Sequence, residues 1–507
     1  MFILLIMSNR SFYLSLLVLL PLILWGQPNN ISIPFTTNYP NELYQAGTQN
    51  WDIDQHPNGF MFFANNNGLL QYDGINWQLF PLKNKTIARS LHITQQGRIY
   101  VGGQGEFGFF EPDDNGLLNF QSLVDLIPEP HNNFADVWRL VEVNGNIYFN
   151  ASYKIFVYDG QQIKVIKDGT IDYLGTALDR IFINNENGIG EIVDNQIIPL
   201  KGGGQLSNNI ITGVIAQEGK SILFCTLDNG IFTYKNQATK PFQKEDTSFF
   251  ENQKISSSYN LAAGKIAVGT PNAGLVILGK DGQFLYKLDK NNGLQNNHII
   301  SVFTDNSNNI WLGLNNGIDY IAHDAPFSKL IPDNEQEGTA YGVKIFDGQL
   351  YLGTSNGLYR QSWQSYYNPL EDNGFELIKG SEGQVWGLDE LQEDLFIGHH
   401  EGAFMISNQQ LTKIGPTQGN WTVLPLSNHP NYYLIGTYQG LHLYKKDKGQ
   451  WQKIKVYEGL EESCRIMEQD ELGNIWVAHP YRGIYKVQLA KDLESIEVRL
   501  YLSLIHI

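Results

Sequence analysis

The sequence predicts an all-β protein built from one repeated hairpin, and three observations carry that prediction. The first is a unit seen most clearly at Asn309-Ile310-Trp311-Leu312-Gly313-Leu314-Asn315-Asn316-Gly317-Ile318-Asp319-Tyr320. It reads as strand, tight turn, strand. The turn glycine suits a position needing φ > 0, where a missing Cβ removes the steric penalty. The second is recurrence. The slot held by Trp311 is filled by Phe62, Tyr100, Tyr148, Phe182, Phe224 and Ala267 before it, and by Tyr351, Phe396, Leu434 and Trp476 after it. The third is spacing. These positions lie 34 to 48 residues apart, close to the roughly 40 to 50 residues of a four-stranded β-propeller blade.

Each hairpin is preceded by another β-prone run. Ile299–Thr304 leads through Asp305–Asn309 to the Trp311 strand, and Trp51–Asp54 leads through Pro57–Gly59 to Met61–Ala64. Alternation marks the strands, and Asp/Asn/Gly clusters mark the turns. The order within a blade is therefore inner strand, aromatic-bearing strand, third strand, variable outer strand. The seventh repeat ends near Asp324-Ala325-Pro326-Phe327, and a polar stretch follows. The expected organisation is a seven-bladed β-propeller over 27–330, then the first four blades of a second propeller over 331–501. Ile31–Phe35 is expected to close the seventh blade, because an open ring leaves exposed strand edges.

The chain has 507 residues, 17% of them charged, with a formal net charge of −17. It carries no basic stripe, which argues against nucleic-acid binding. Two cysteines in different repeats, Cys225 and Cys464, exclude a disulfide scaffold. Residues 1–26 read as a secretory signal: Met7-Ser8-Asn9-Arg10, an apolar run from Phe12 to Trp25, and cleavage after Gly26. Either Met1 or Met7 serves as the start. An uncleaved anchor is the rival reading, disfavoured by the short run and by Pro21. Residues 502–507 read as the translation of a sequencing adaptor. The chain is accordingly expected to be the N-terminal part of a longer, exported protein.

The runs Gly293-Leu294-Gln295-Asn296-Asn297-His298-Ile299, Asn309-Ile310-Trp311-Leu312-Gly313 and Asn316-Gly317-Ile318, repeated in Gly459-Leu460 through Gly483-Ile484, resemble the two-component-regulator propeller repeat. That repeat belongs to periplasmic sensor regions of Bacteroidetes regulators, and the resemblance covers nearly all of 45–500. It implies two seven-bladed propellers, a triple-tyrosine β-sandwich and a transmembrane helix. A histidine kinase or helix-turn-helix output follows in that family, with homodimerisation through the later parts. The implied role is signal transduction and transcription regulation from the periplasm, with membrane attachment outside this chain.

The turns of the hairpins and the loops entering the inner strands share one face, the default ligand site of such a ring. Trp51, Trp138, Trp386 and Trp421 stand at inner-strand starts, beside amides and charged groups suited to stacking and hydrogen-bonding a sugar or similar polar ligand. Arg89 and Arg139 offer bidentate donors for a carboxylate. Gln104 and Glu106 belong to the glycine-rich turn Gly102–Glu111. Packing between blades is the competing reading for each tryptophan, and turn ion pairs for the arginines. A phosphate cradle at Gly102–Gly105 lacks a following helix or lysine. Glu111–Gly116 begins like a calcium loop without its distal Glu. His399-His400-Glu401 lacks a third metal ligand. No metal, cofactor or catalytic set is expected. The expected function is extracytoplasmic sensing of a small molecule or oligosaccharide. The alternatives are an exported glycan-active propeller enzyme, for which a sialidase-type box is out of register at Asp470-x-x-Gly473-x-Ile475-Trp476, and a passive interaction scaffold.

Overall fold

The computed structural model describes residues 30–501 apart from 168, 243–247, 333–337, 372–373 and 416–417. The signal segment 1–26 and the hexapeptide 502–507 lie outside the described residues. Among the described residues, eleven four-stranded antiparallel sheets follow one another, each with its strands in the order inner to outer. The fold is a β-propeller architecture. Two compact units divide the chain. The first runs to Leu330 and also takes in Tyr366–Asp372. The second comprises Ile331–Ser365 and the chain from Asn373 onward. That excursion was not legible in the sequence. It is held in the first unit by Asn30, whose side chain donates to Leu285 and Tyr367 carbonyls (2.8 and 2.6 Å) and accepts from the Tyr367 amide (2.8 Å).

Seven sheets make the first unit. Their inner strands are Asn50–Gln55, Ala88–Ile93, Arg139–Val143, Ile171–Ala177, Ile211–Gln217, Ser257–Asn260 and Ile299–Thr304. Each packs on the next, and the seventh packs back on the first, so the sheets form a closed ring. The slot residues on the second strands fill the space between sheets: Phe62, Phe182, Phe224 and Trp311 are 5% exposed or less. Ala267 fills the slot in one core cluster with Leu275, Ile277 and Leu312. In the second unit the inner strands Ala340–Phe346, Val385–Leu391, Asn420–Pro425 and Ile466–Gln469 pack in the same sequential manner.

The closing strand differs from expectation. It is Thr36–Tyr39, paired Thr36↔Ile321 through Tyr39↔Ile318, not Ile31–Phe35. The earlier segment makes a single bridge, Ile33 with Lys329. Pro34 has no amide to donate to a ladder, so pairing resumes beyond it. The closure is tied by side chains. Asn38 Nδ2 and Gln295 Nε2 both donate to buried Asp319, each at 2.7 Å.

An inner strand is also an edge, with backbone groups turned toward the axis. Here side chains of neighbouring sheets satisfy them. Asp52 accepts from the Leu91 amide (3.0 Å) and Asp54 from that of Ile93 (2.7 Å). Ser90 donates to the Val137 carbonyl (2.7 Å), and Asp389 accepts from Val423 in the second unit (3.1 Å). These links explain short polar residues on strands that otherwise read as apolar.

Candidate functional site

The entry to most inner strands carries a β-bulge. In eight sheets the pairing with the second strand skips one residue: Trp51, Arg89, Asp172, Thr212, Ile300, Tyr341, Trp386 or Trp421. Trp138 holds the same place in the third sheet, since its amide bonds Asn150 O (2.9 Å) while Arg139 pairs with Asn150. An extra residue has no cross-strand partner, so the bulge re-aims its side chain out of the ladder. Each bulged sheet thus frees one side chain at the entry of its inner strand.

In the first unit three bulge residues from consecutive sheets meet. The Arg89 guanidinium lies over both Trp51 and Trp138, 4.1 and 4.7 Å from their ring centres. Cation–π stacking of this kind contributes about 0.5–2 kcal/mol per contact. Arg89 Nε donates to Asp136 (2.9 Å), which orients the planar group. No bond to either Nη group is formed by the described residues, so both keep their donors for a ligand. Trp51 is fixed by an amide chain: its Nε1 donates to Asn66 Oδ1 (2.7 Å), Asn66 to Gln49 (3.1 Å), and Gln49 to Asn315 (2.6 Å). Trp138 is 41% exposed. The result is an aromatic and guanidinium platform rimmed by amides.

The other predicted residues are placed differently. Gln104 is exposed beside the cluster, bridged to Asp136 through its backbone. Glu106 turns inward, 5% exposed, and accepts from Ser122 Oγ (2.7 Å) and the Phe107 amide (3.0 Å). It braces a turn and does not reach the platform. Arg139 lies over Tyr173, 4.7 Å from its ring centre. The phosphate-cradle reading fails on its own amides: Gly103 N and Gly105 N already donate to Glu106 O and Ala135 O, at 2.8 Å each. A Cβ on Gly102 would meet Val137 and Ser90, so that glycine admits the neighbouring strand, not a ligand. Asp113 spends its carboxylate on the Asn115 and Leu117 amides of its own loop, both 2.9 Å.

The second unit builds a related row. Trp386 lies 4.8 Å from Trp421, Tyr341 lies 4.9 Å from Trp386, and Arg465 covers Trp421 at 4.1 Å. Trp421 Nε1 donates to Ser463 (2.9 Å), and Tyr438 packs against Trp421 while its hydroxyl pairs with His400 Nδ1 (3.0 Å). Gly419 (φ +72°) gives the Tyr438 ring its seat, since a Cβ there would enter the ring. His399 is buried against Ser381 O, and that burial pulls its pKa down. Sequence reasoning found Trp386 and Trp421 but missed Tyr341, Tyr438 and Arg465. For Tyr341 the signal was available in the spacing, since the bulge residues sit 10 to 13 residues before the slot position.

Deeper in the first unit, burial pushes the Asp52 carboxyl up to about 6, against the pull of Arg139 and of the Leu91 amide. The unfolded carboxyl titrates near 4. Since the folded value is the higher, the folded state holds the proton more tightly. That stabilisation is complete below about pH 4 and is lost as pH rises through about 6. Asp52→Asn, which has no proton to lose, is expected to flatten the fall of the urea midpoint over that window. An unaltered slope would refute the assignment. Burial likewise drives the thiols of Cys225 and Cys464 up to about 12, so both are unreactive.

No family model matches the chain, and no curated protein matches it. Solved structures do. The extracellular domain of a protein assigned as the hybrid two-component system BT3049 of B. thetaiotaomicron superposes with a TM-score of 0.65 at 16% identity, over 92% of this chain and 67% of that one. That of BT4673 from the same organism gives 0.46 at 18% identity, over 92% and 66%. A virginiamycin B lyase from Staphylococcus aureus gives 0.44 at 14%, over 56% and 97%. The chain spans about two thirds of the length of the two extracellular domains. The expected resemblance is met in the fold, through the first of these structures.

Proposed function

We propose that this chain is an extracytoplasmic sensing region, and that the first unit receives a small polar molecule or oligosaccharide at the Trp51–Arg89–Trp138 mouth. The observation that carries this reading is the bulge ring. Three consecutive sheets each spend their one unpaired entry residue on a single platform, and its exposed tryptophan and undirected guanidinium donors suit ring stacking and polar contacts. A merely structural rim would not require the bulge residues to be aromatic or cationic. The fold likeness to extracellular domains of two-component systems supports the same role.

In this reading the chain performs no chemistry. Ligand binding biases the arrangement of a longer, membrane-attached and dimeric regulator, whose kinase or helix-turn-helix output lies beyond the present sequence. The test is calorimetric titration of the purified chain with oligosaccharides released from plant, host and bacterial polysaccharides, alongside chromatography of each glycan. Binding of one class at roughly micromolar Kd without cleavage is expected. Cleavage of the bound glycan would favour an exported enzyme. Failure of every class to bind would leave a scaffold.

A further inference from the structure

A cavity of about 590 Å³ opens in the first unit beside the fifth sheet, and none of the mouth residues lines it. Its walls are the segment entering the inner strand Ile211–Gln217, the Asn229–Gly230 turn and the short helix Ser248–Asn252. Four amides line it: exposed Gln205, Asn208 and Asn229, and half-buried Asn209. Their internal bonds consume only part of their capacity. Thr239 donates to Gln205 Oε1 (2.9 Å), which leaves Gln205 Nε2 as a donor. Asn229 Nδ2 donates to Asn209 Oδ1 (2.6 Å), which leaves Asn229 Oδ1 to accept and Asn209 Nδ2 to donate. The side chain of Asn208 has no bond among the described residues.

Amides that both donate and accept match hydroxyl groups, which do the same. Among the described lining residues there is no Lys, Arg or His to pair with an anion, and the one charged group is the Glu251 carboxylate. Half-buried Phe232 and exposed Pro241 supply an apolar wall, where the apolar face of a sugar ring can rest. The volume falls within the range of about 300–1,000 Å³ that small-ligand sites occupy.

We propose that this cavity binds one neutral sugar residue, independently of whatever occupies the mouth. The test is saturation-transfer NMR on the full chain with glucose, galactose, mannose, xylose and N-acetylglucosamine, each at about 10 mM, enough to fill a millimolar site. Galacturonate is the anionic control. At least one neutral sugar is expected to give transfer, and galacturonate less. Asn208→Ala and Asn209→Ala should each weaken that binding by about tenfold, the cost of one lost hydrogen bond. Asn208 makes no internal bond, so its variant folds. Transfer from none of the five sugars overturns the proposal. So does transfer that survives both lining variants, or that is lost in Trp138→Ala and kept in Asn208→Ala, since the sugar then sits at the mouth.

Discussion

Trp311→Ala is expected to destabilise the first unit by about 3–5 kcal/mol, the cost of truncating a large buried aromatic. Trp311 is 5% exposed and stands where the ring is sealed. It stacks on Tyr39 of the closing strand (5.9 Å, 11° between planes) and meets Tyr320 at 4.9 Å and Phe63 of the first sheet at 5.8 Å. Its Nε1 donates to Asp305 (3.0 Å), whose other oxygen accepts from the Ser307 and Asn309 amides (2.9 and 3.0 Å) and so fixes the turn before the strand. The loss therefore falls on packing, turn and closure together. Trp476 is the internal comparison. It fills the same slot and bonds Asp470 in the same way (3.0 Å), but it is only half-buried. Its alanine variant should cost less, about 1–2 kcal/mol. Urea unfolding of both variants measures the difference, and a Trp311 effect below about 1 kcal/mol would show that the seam is not held this way.

The second large effect concerns binding. Trp138→Ala removes an exposed side chain from the entry of an inner strand, so the change in folding free energy should stay within about 1 kcal/mol. Ligand affinity at the mouth is expected to fall by about 30-fold or more, the loss typical of a central aromatic anchor. Arg89→Lys should also weaken binding despite keeping its charge. Lysine has no planar fork to lie between two indoles with one edge on Asp136 and the other toward the ligand. Calorimetry on the two variants checks both expectations. Undiminished affinity in Trp138→Ala would remove the platform from the account.

Much of this architecture was legible because hairpin repetition is written in local chemistry. A turn glycine and an apolar, mostly aromatic slot residue recur at one period. In two repeats, Asp305–Trp311 and Asp470–Trp476, a carboxylate also bonds the turn amides and the indole at once. The closing strand was misplaced by a few residues, since Ile31–Phe35 and Thr36–Tyr39 are both β-prone and only Pro34 separates a bridge from a ladder. The site was partly legible. Tryptophans at strand starts could be seen, but their convergence depends on bulges, and a bulge is a property of pairing between strands. Glu106 illustrates the limit. In sequence it stands in an unusual turn like a ligand contact, and only the fold brings Ser122 to its carboxylate.

The most direct measurement is a crystal structure of the chain with the oligosaccharide that binds in titration. The account predicts a sugar ring against Trp138, with a polar group of the ligand on the Arg89 Nη donors and the Trp51–Asn66–Gln49 chain unchanged. Density for that ligand elsewhere on the first unit, with the Trp51–Arg89–Trp138 platform empty, would contradict it.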